Sequence, residues 1–359
     1  MANLPGQPLD RTANSEILQY YQSHRLFRDR YRVLKKLGQG GFGVTYLAQN
    51  ASLPGEPRCV IKQLCPKAGS QLSLERAKVR FRREARALAS LGSHSQIPQL
   101  LDYFTAGGEF YLVQDYIHGE TLAQEVRRNG RLTEAQVKYF LREIIPVVRF
   151  VHRNRVVHRD IKPPNIIRSE RDRRLVLIDF GAVREFLSDV DDYTSVQAPA
   201  TQFVGTPGFA PPEQLALRPC YASDIYALGM TCLYLLTART PIEFDQDPLT
   251  GVIRWHHTVT VSPHLTTVLD KMLLPDAQDR YTTIDELERA LELEPHLEAL
   301  AGCMNTRNHP PLDDPGADHS LAADGYLTPI QREAQAIRKW RTKRSFGSQQ
   351  GRARSVYRP

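Results

Sequence analysis

Apolar and polar residues alternate from Tyr31 onward. YRVLKKL, then VTYLA after a glycine cluster, then CVIKQL after the turn-rich NASLPGEP, read as three successive antiparallel strands. The period then lengthens, and LERAKVRFRREARALASL places apolar residues at helical spacing on a basic helix. LLDYFTAGGEFYLVQDY returns to alternation around Gly107 and Gly108, which predicts a hairpin. Five strands and one helix are therefore expected before HGETL, and mainly helices after it. TEAQVKYFLREIIPVVRFVHRN has Thr133 placed as a cap and Pro146 as an interior kink. SDIYALGMTCLYLLTA is largely apolar and predicts a buried helix; SPHLTTVLDKML and TIDELERALELE predict amphipathic ones.

The ends lack such periodicity. Residues 1–30 are polar and aperiodic, except that SEILQYYQSHRLF is compatible with a short helix packed on the body. The folded part is expected to end near Glu294. A linker rich in Pro, Asp and Gly, placed at 295–331, follows it. The net charge of +7 has one source: residues 332–359 hold nine lysines and arginines against Glu333 alone, leaving residues 1–331 near −1. The basicity thus belongs to a tail, expected as a solvated segment or short helix that docks an acidic partner or surface, and no specific nucleic acid is expected.

No stretch approaches the roughly 18–20 uncharged apolar residues of a membrane span. The start, MANLPGQPLD, has neither a basic n-region nor an apolar h-region, so a cytoplasmic protein is the expectation. Five cysteines without close C-x₂₋₄-C spacing predict reduced thiols rather than a disulfide framework or a zinc site. His256 and His257 lack a ligand-spaced partner and read as surface or packing histidines.

Two strings carry chemistry. HRDIKPPN at 158–165 and DFG at 179–181 supply a carboxylate able to orient a hydroxyl, a lysine and an asparagine beside it, and a second carboxylate suited to Mg²⁺. GQGGFG at 38–43 fits G-x-G-x-x-G, a weak signal shared with dinucleotide-binding folds. Those folds need a helix after the glycines and an acid about 20 residues on. Here an alternating strand follows, and Lys62 stands at that distance. A lysine in the apolar CVIK is costly unless its charge is used, and Glu84 on the following helix is the natural partner. The blander reading makes Lys62 an edge-strand lysine and Glu84 a solvated helix residue.

GQGGFG, VIK, Glu84, HRDIKPPN, DFG, GTPGFAPPE and SDIYALG stand in the order seen in eukaryotic-type Ser/Thr protein kinases. The resemblance covers roughly residues 31–294, and its wording (CVIKQL, QIPQLLDYF, YLVQDYIHGETL) is similar to the cyanobacterial branch. It implies a two-lobed α+β fold, with a β-rich N-lobe at 31–117 and a mostly helical C-lobe at 118–294. By this resemblance Asp160 accepts or orients the substrate hydroxyl proton, Lys162 sits near the γ-phosphate, and Lys62 with Glu84 holds the α- and β-phosphates. Asn165 and Asp179 would hold Mg²⁺. Gly38, Gly40 and Gly43 would cover the ATP phosphates. The adenine would lie among Leu37, Thr45, Val60 and Ile167, with Gln114 as gatekeeper and Tyr116 in the hinge. Thr206 is expected beside Asp160 and Lys162, Glu213 paired with Arg280, and Asp224 on the catalytic-loop backbone.

Four residues depart from the family pattern: Thr45, Val60, Pro164 and Pro211 replace the usual Val, Ala, Glu and Ala. None removes a group that touches metal or the transferred phosphoryl, so ATP affinity and specificity are what they put in question. The implied activity is ATP-dependent transfer of the γ-phosphoryl group to Ser or Thr of protein substrates, with autophosphorylation. Arg159 before Asp160 implies an activating phosphate, with Thr201 expected first and Thr194 and Ser195 behind it. The competing reading is a nucleotide-binding pseudokinase scaffold. A small-molecule kinase of the same fold is disfavoured by GTPGFAPPE, the segment with which protein kinases hold a peptide.

Overall fold

The computed structural model describes Ile17, Tyr20, Ser23 and residues 25–39, 43–64, 71–92, 94–182, 184–185 and 205–294. Gly40, Thr194, Ser195, Thr201, the linker and the basic tail lie outside the described residues.

The alternating segments become strands β1 (Tyr31–Gln39), β2 (Gly43–Asn50) and β3 (Arg58–Leu64), and the basic amphipathic stretch becomes helix α1 (Gln71–Leu91). The hairpin is β4 (Leu100–Ala106) and β5 (Glu109–Asp115), turning at Gly107 and Gly108, both at positive φ. These five strands form one antiparallel sheet in the order β1-β2-β3-β5-β4. β3 therefore lies inside the sheet, with β2 on one side and β5 on the other. An edge-strand position for Lys62 is excluded.

Alternation in β3 sorts its residues onto two faces. Val60 and Lys62 face inward with Leu64, whereas Cys59 and Ile61 join an outer apolar cluster with Tyr31, Val33, Val44, Tyr46, Tyr111 and Val113. Antiparallel sheets commonly leave one face to water. This one does not. Ile17 and Phe27 are fully buried in that cluster, and Tyr20 and Phe104 pack on it. The Phe27 ring lies 5.4 Å from Tyr20 and 4.9 Å from Tyr111.

After β5 a short β6 (Gly119–Thr121) leads into α2 (Leu122–Asn129) and α3 (Glu134–Arg153), both opened by capping boxes, Thr121 with Gln124 and Thr133 with Gln136. α3 continues through Pro146. The strands β7 (Val156–Val157), β8 (Ile166–Ser169), β9 (Leu175–Leu177) and β10 (Arg184–Glu185) follow, with HRDIKPPN on the chain between β7 and β8 and DFG on the chain between β9 and β10. β6, β8 and β9 form a small sheet, and β10 pairs with β7. α4 (Pro212–Leu215) precedes α5 (Tyr221–Thr237), buried along nearly its whole length as its apolar sequence predicts. α6 (Pro263–Met272) and α7 (Ile284–Glu292) start at the caps Ser262 and Thr283.

The main core runs without a break from Phe81, Leu88 and Leu91 of α1, through Phe140 and Ile144 of α3, to Leu228 and Leu233 of α5. That core also holds Ile161 and Phe180 of the two strings, which fixes α1, and with it Glu84, relative to them. No helix among the described residues is long and apolar enough to cross a membrane. Cys59, Cys220 and Cys232 are free thiols, and no three His, Cys, Asp or Glu side chains gather as a metal cage among the described residues.

Candidate active site

Lys62 is brought to two carboxylates. Its Nζ donates to Glu84 Oε1 at 2.5 Å and to Asp179 Oδ1 at 2.9 Å. The side chains of Lys62 and Glu84 are 16% and 6% exposed, so this is a buried pair rather than a solvated contact. Burial disfavours the Lys62 charge, but Asp179 and Glu84 outweigh it and hold the ammonium well above the usual lysine range. The ammonium in turn holds the Asp179 carboxyl at about 2, whereas burial pushes the Glu84 carboxyl up against the pull of Lys62. Asp179 thus remains a charged oxygen donor at neutral pH. Gly181 leaves room beside this pair: a Cβ there would lie 3.2 Å from Glu84 Oε2, tighter than side chains ordinarily pack, and 3.4 Å from Asp179 Oδ1.

A second group centres on Asp160. Its Oδ1 accepts from Thr206 Oγ1 at 2.8 Å, and its Oδ2 accepts from Asn165 Nδ2 at 2.9 Å and pairs with Lys162 Nζ at 2.8 Å. Lys162 also donates to Thr206 Oγ1 at 2.5 Å. The carboxylate is fixed in orientation by three neighbours, two of them cationic or hydroxylic groups from separate parts of the chain. The Asn165 amide N–H groups are spent on Asp160 Oδ2 and the Asp160 carbonyl, which leaves its oxygen as the donor for a hard cation.

Beneath these groups lies a buried frame. Asp224, fully buried on α5, accepts from the His158 amide at 2.9 Å and the Arg159 amide at 2.8 Å, and contacts His152 Nε2 at 2.9 Å. Its carboxyl is held low despite burial, because His152 and these amides stabilise the charge. His158 is also fully buried, with Nδ1 facing the Asp160 amide at 3.3 Å and Nε2 facing the Ile178 carbonyl at 3.2 Å. An acceptor at one nitrogen and a donor at the other require the neutral tautomer with the proton on Nε2. Burial lowers the His158 pKa below 6.5. The unfolded chain then takes up this proton first, so stability is intact above about pH 6.5 and falls as pH drops below it. Thermal melts from pH 7.5 down to about 5.5 should show that fall, with a shallower slope for His158→Asn; an equal slope would remove His158 as its source.

Glu213 and Arg280 form a bidentate pair at 2.7 and 2.9 Å, joined by Ser223 Oγ donating to Glu213 Oε1 at 2.7 Å. The fully buried Arg280 side chain also donates to the carbonyls of Leu274, Pro275 and Ala222, and its guanidinium lies 4.9 Å from the Tyr226 ring centre.

The sites expected to line an adenine are placed as follows. Val60 and Gln114 are buried and directly opposite each other on β3 and β5, and Thr45 stands opposite Lys62. Ile167 is half-buried on β8, and Tyr116 is half-buried just beyond β5 with its ring 4.7 Å from that of His118. Leu37 is 42% exposed on β1. Gly38 and Gly43 lie at the facing ends of β1 and β2, the strand–turn–strand arrangement that the sequence predicts; Gly40 falls outside the described residues. His158, His152 and Gln214 have structural work here that the motif reading does not assign.

The protein kinase domain model matches residues 31–292. The chain is 48% identical over 282 residues to serine/threonine-protein kinase B of Synechocystis sp., covering 78% of this chain and 49% of that protein. It is 44% identical over 272 residues to serine/threonine-protein kinase PknA of Nostoc sp. (75% and 48%), and 30% identical over 273 residues to PrkC, a serine/threonine-protein kinase of Bacillus subtilis (72% and 39%). The chain spans about half the length of the curated relatives it matches. The β-rich first lobe, the helical second lobe and the order of motifs between them agree with the match: the chain belongs to the protein kinase domain family.

Proposed function

We propose that the chain is an ATP-dependent serine/threonine protein kinase, with residues 31–294 as its catalytic unit. The observation that supports this most directly is the double anchoring of charge around the cleft. Lys62 is buried between Glu84 and Asp179, and Asp160 is oriented by Lys162, Thr206 and Asn165. Phosphoryl transfer asks little covalent chemistry of the protein beyond positioning and charge stabilisation.

Asp160 receives the hydroxyl proton of a Ser or Thr side chain, and its fixed rotamer places that hydroxyl for in-line attack. Lys162 stabilises charge on the transferred group, and Lys62 holds the remaining phosphates of ATP. Asp179 and Asn165 are the oxygen donors for Mg²⁺, which needs only one or two protein ligands where phosphates complete its shell. Bound there, the ion supplies neutralisation of phosphate charge. Val60 and Gln114 face the base, where the extra methyls of Val60 narrow the space. A cytoplasmic setting suits the free thiols Cys59, Cys220 and Cys232.

The test is incubation of the full chain with γ-labelled ATP, Mg²⁺ and a generic protein substrate. Label is expected on Ser or Thr, reduced about 10²–10⁴-fold by Asp160→Asn. Stabilisation by ATP and Mg²⁺ with no transfer to any protein would establish the pseudokinase scaffold instead.

A further inference from the structure

Arg159 has φ of 69°, a left-handed conformation that a non-glycine residue holds only when its surroundings over-determine it. The peptide groups around it are bound by side chains. Asp224 accepts from the His158 and Arg159 amides, His158 Nδ1 faces the Asp160 amide, and Asn165 donates to the Asp160 carbonyl. The Arg159 carbonyl, on the bond that leads directly into Asp160, receives Gln214 Nε2 at 2.6 Å. Gln214 is 1% exposed, in a four-residue helix where an apolar side chain would fill the same space. Burying an amide is costly unless its hydrogen bonds are used.

We propose that Gln214 is a positioning residue for phosphoryl transfer, holding the Arg159–Asp160 peptide so that the Asp160 carboxylate meets the substrate hydroxyl. This rests on the kinase reading above. Gln214 follows Glu213, whose carboxylate is locked to Arg280, so α4 has a fixed base from which to reach the catalytic loop. One short helix thereby ties the end of the segment that would carry the peptide to the turn that carries Asp160. Asp224 fixes that turn from α5 at its amide side, and Gln214 fixes it from α4 at its carbonyl side. With the donor removed, the strained peptide is free to rotate, and Asp160 loses register without losing its own side-chain partners.

The experiment uses the full chain and three proteins: wild type, Gln214→Met, which keeps the volume without a donor, and Gln214→Glu. For Gln214→Met, kcat should fall about 5–20-fold, the rate equivalent of one buried hydrogen bond, with KM for ATP within about twofold of wild type. Amide exchange should accelerate in peptides spanning 156–166 and stay unchanged in α5. For Gln214→Glu, activity relative to wild type should rise as pH falls from about 8 to about 5.5, because a protonated carboxyl donates where a carboxylate repels the carbonyl. Taking the ratio removes the titration of His158 and Asp224 common to both proteins. A Gln214→Met kcat within about twofold of an active wild type overturns the proposal, as does a ratio flat with pH or exchange that rises equally in α5. If wild type transfers no phosphate, the kinase reading fails and the exchange pattern alone decides whether Gln214 holds the turn.

Discussion

Lys62→Met and Asp179→Asn proteins are each expected to lose phosphoryl transfer by at least about 10²–10³-fold while remaining folded. The expectation follows from how few groups share the charge. Lys62 is the cation shared between Glu84 and Asp179, so its removal withdraws the phosphate contact and leaves two carboxylates facing each other. Glu84, which burial already pushes toward the protonated form, can accept a proton and absorb that change. The methionine fills the space of the lysine stem, so the sheet survives. Asp179→Asn keeps the shape but removes the anionic metal donor. The decisive measurement is single-turnover transfer by purified variants, alongside circular dichroism and a thermal melt. Near-normal transfer by Lys62→Met would remove Lys62 from the catalytic machinery.

Arg280→Ala is expected to be the most destabilising single change, at about 3–5 kcal/mol, which for a domain of this size corresponds to a fall in Tm of about 10 °C. Its side chain is fully buried, and truncation strands the Glu213 carboxylate along with the carbonyls of Leu274, Pro275 and Ala222. Those carbonyls cost extra once unpaired. Glu213→Ala leaves the fully buried Arg280 guanidinium with its carbonyl partners but without its anion, so it too should lower stability markedly. A double-mutant cycle should return a coupling of at least about 1 kcal/mol. Arg280→Lys should not rescue, because an ammonium cannot reproduce the two-pronged contact or reach the same carbonyls. If both alanine variants melt like wild type, the pair contributes nothing to stability.

Part of this was legible in the chain because Lys62 and Glu84 sit on elements with strong periodicity. Asp160, Lys162, Asn165 and Asp179, on the chain between strands, were legible only through the HRDIKPPN and DFG strings. Lys62 could be assigned to a strand and Glu84 to a helix by pattern alone, and their pairing followed from order and charge. Thr133 could be placed as a cap because side-chain capping is local. What escaped was set by distant parts of the chain. That β3 lies inside the sheet depends on pairing with β5, some fifty residues on, so the edge-strand alternative for Lys62 could not be dismissed locally. The left-handed backbones at Arg159 and Asp179 carry no glycine to announce them. His158 gives no sign in sequence that both ring nitrogens are committed to the backbone, and Gln214 belongs to no pattern that would single out its amide.

The outer face of the N-lobe sheet bears on where the folded body of this lobe has its border. The protein kinase domain match starts at residue 31, yet Ile17 and Phe27 are fully buried upstream of it, in one cluster with Ile61 and Val113 of the central strands. The domain match and solvent exclusion therefore draw different borders. Cutting at the first would uncover a continuous aromatic and aliphatic wall containing Tyr31, Tyr46, Phe104 and Tyr111, the kind of surface through which one molecule sticks to the next. A fragment starting at residue 31 should scatter light and elute as large species where the full chain does not. For this protein, then, Ile17, Tyr20 and Phe27 are lining for the sheet, and a version shortened to the domain match would arrive with its inside showing.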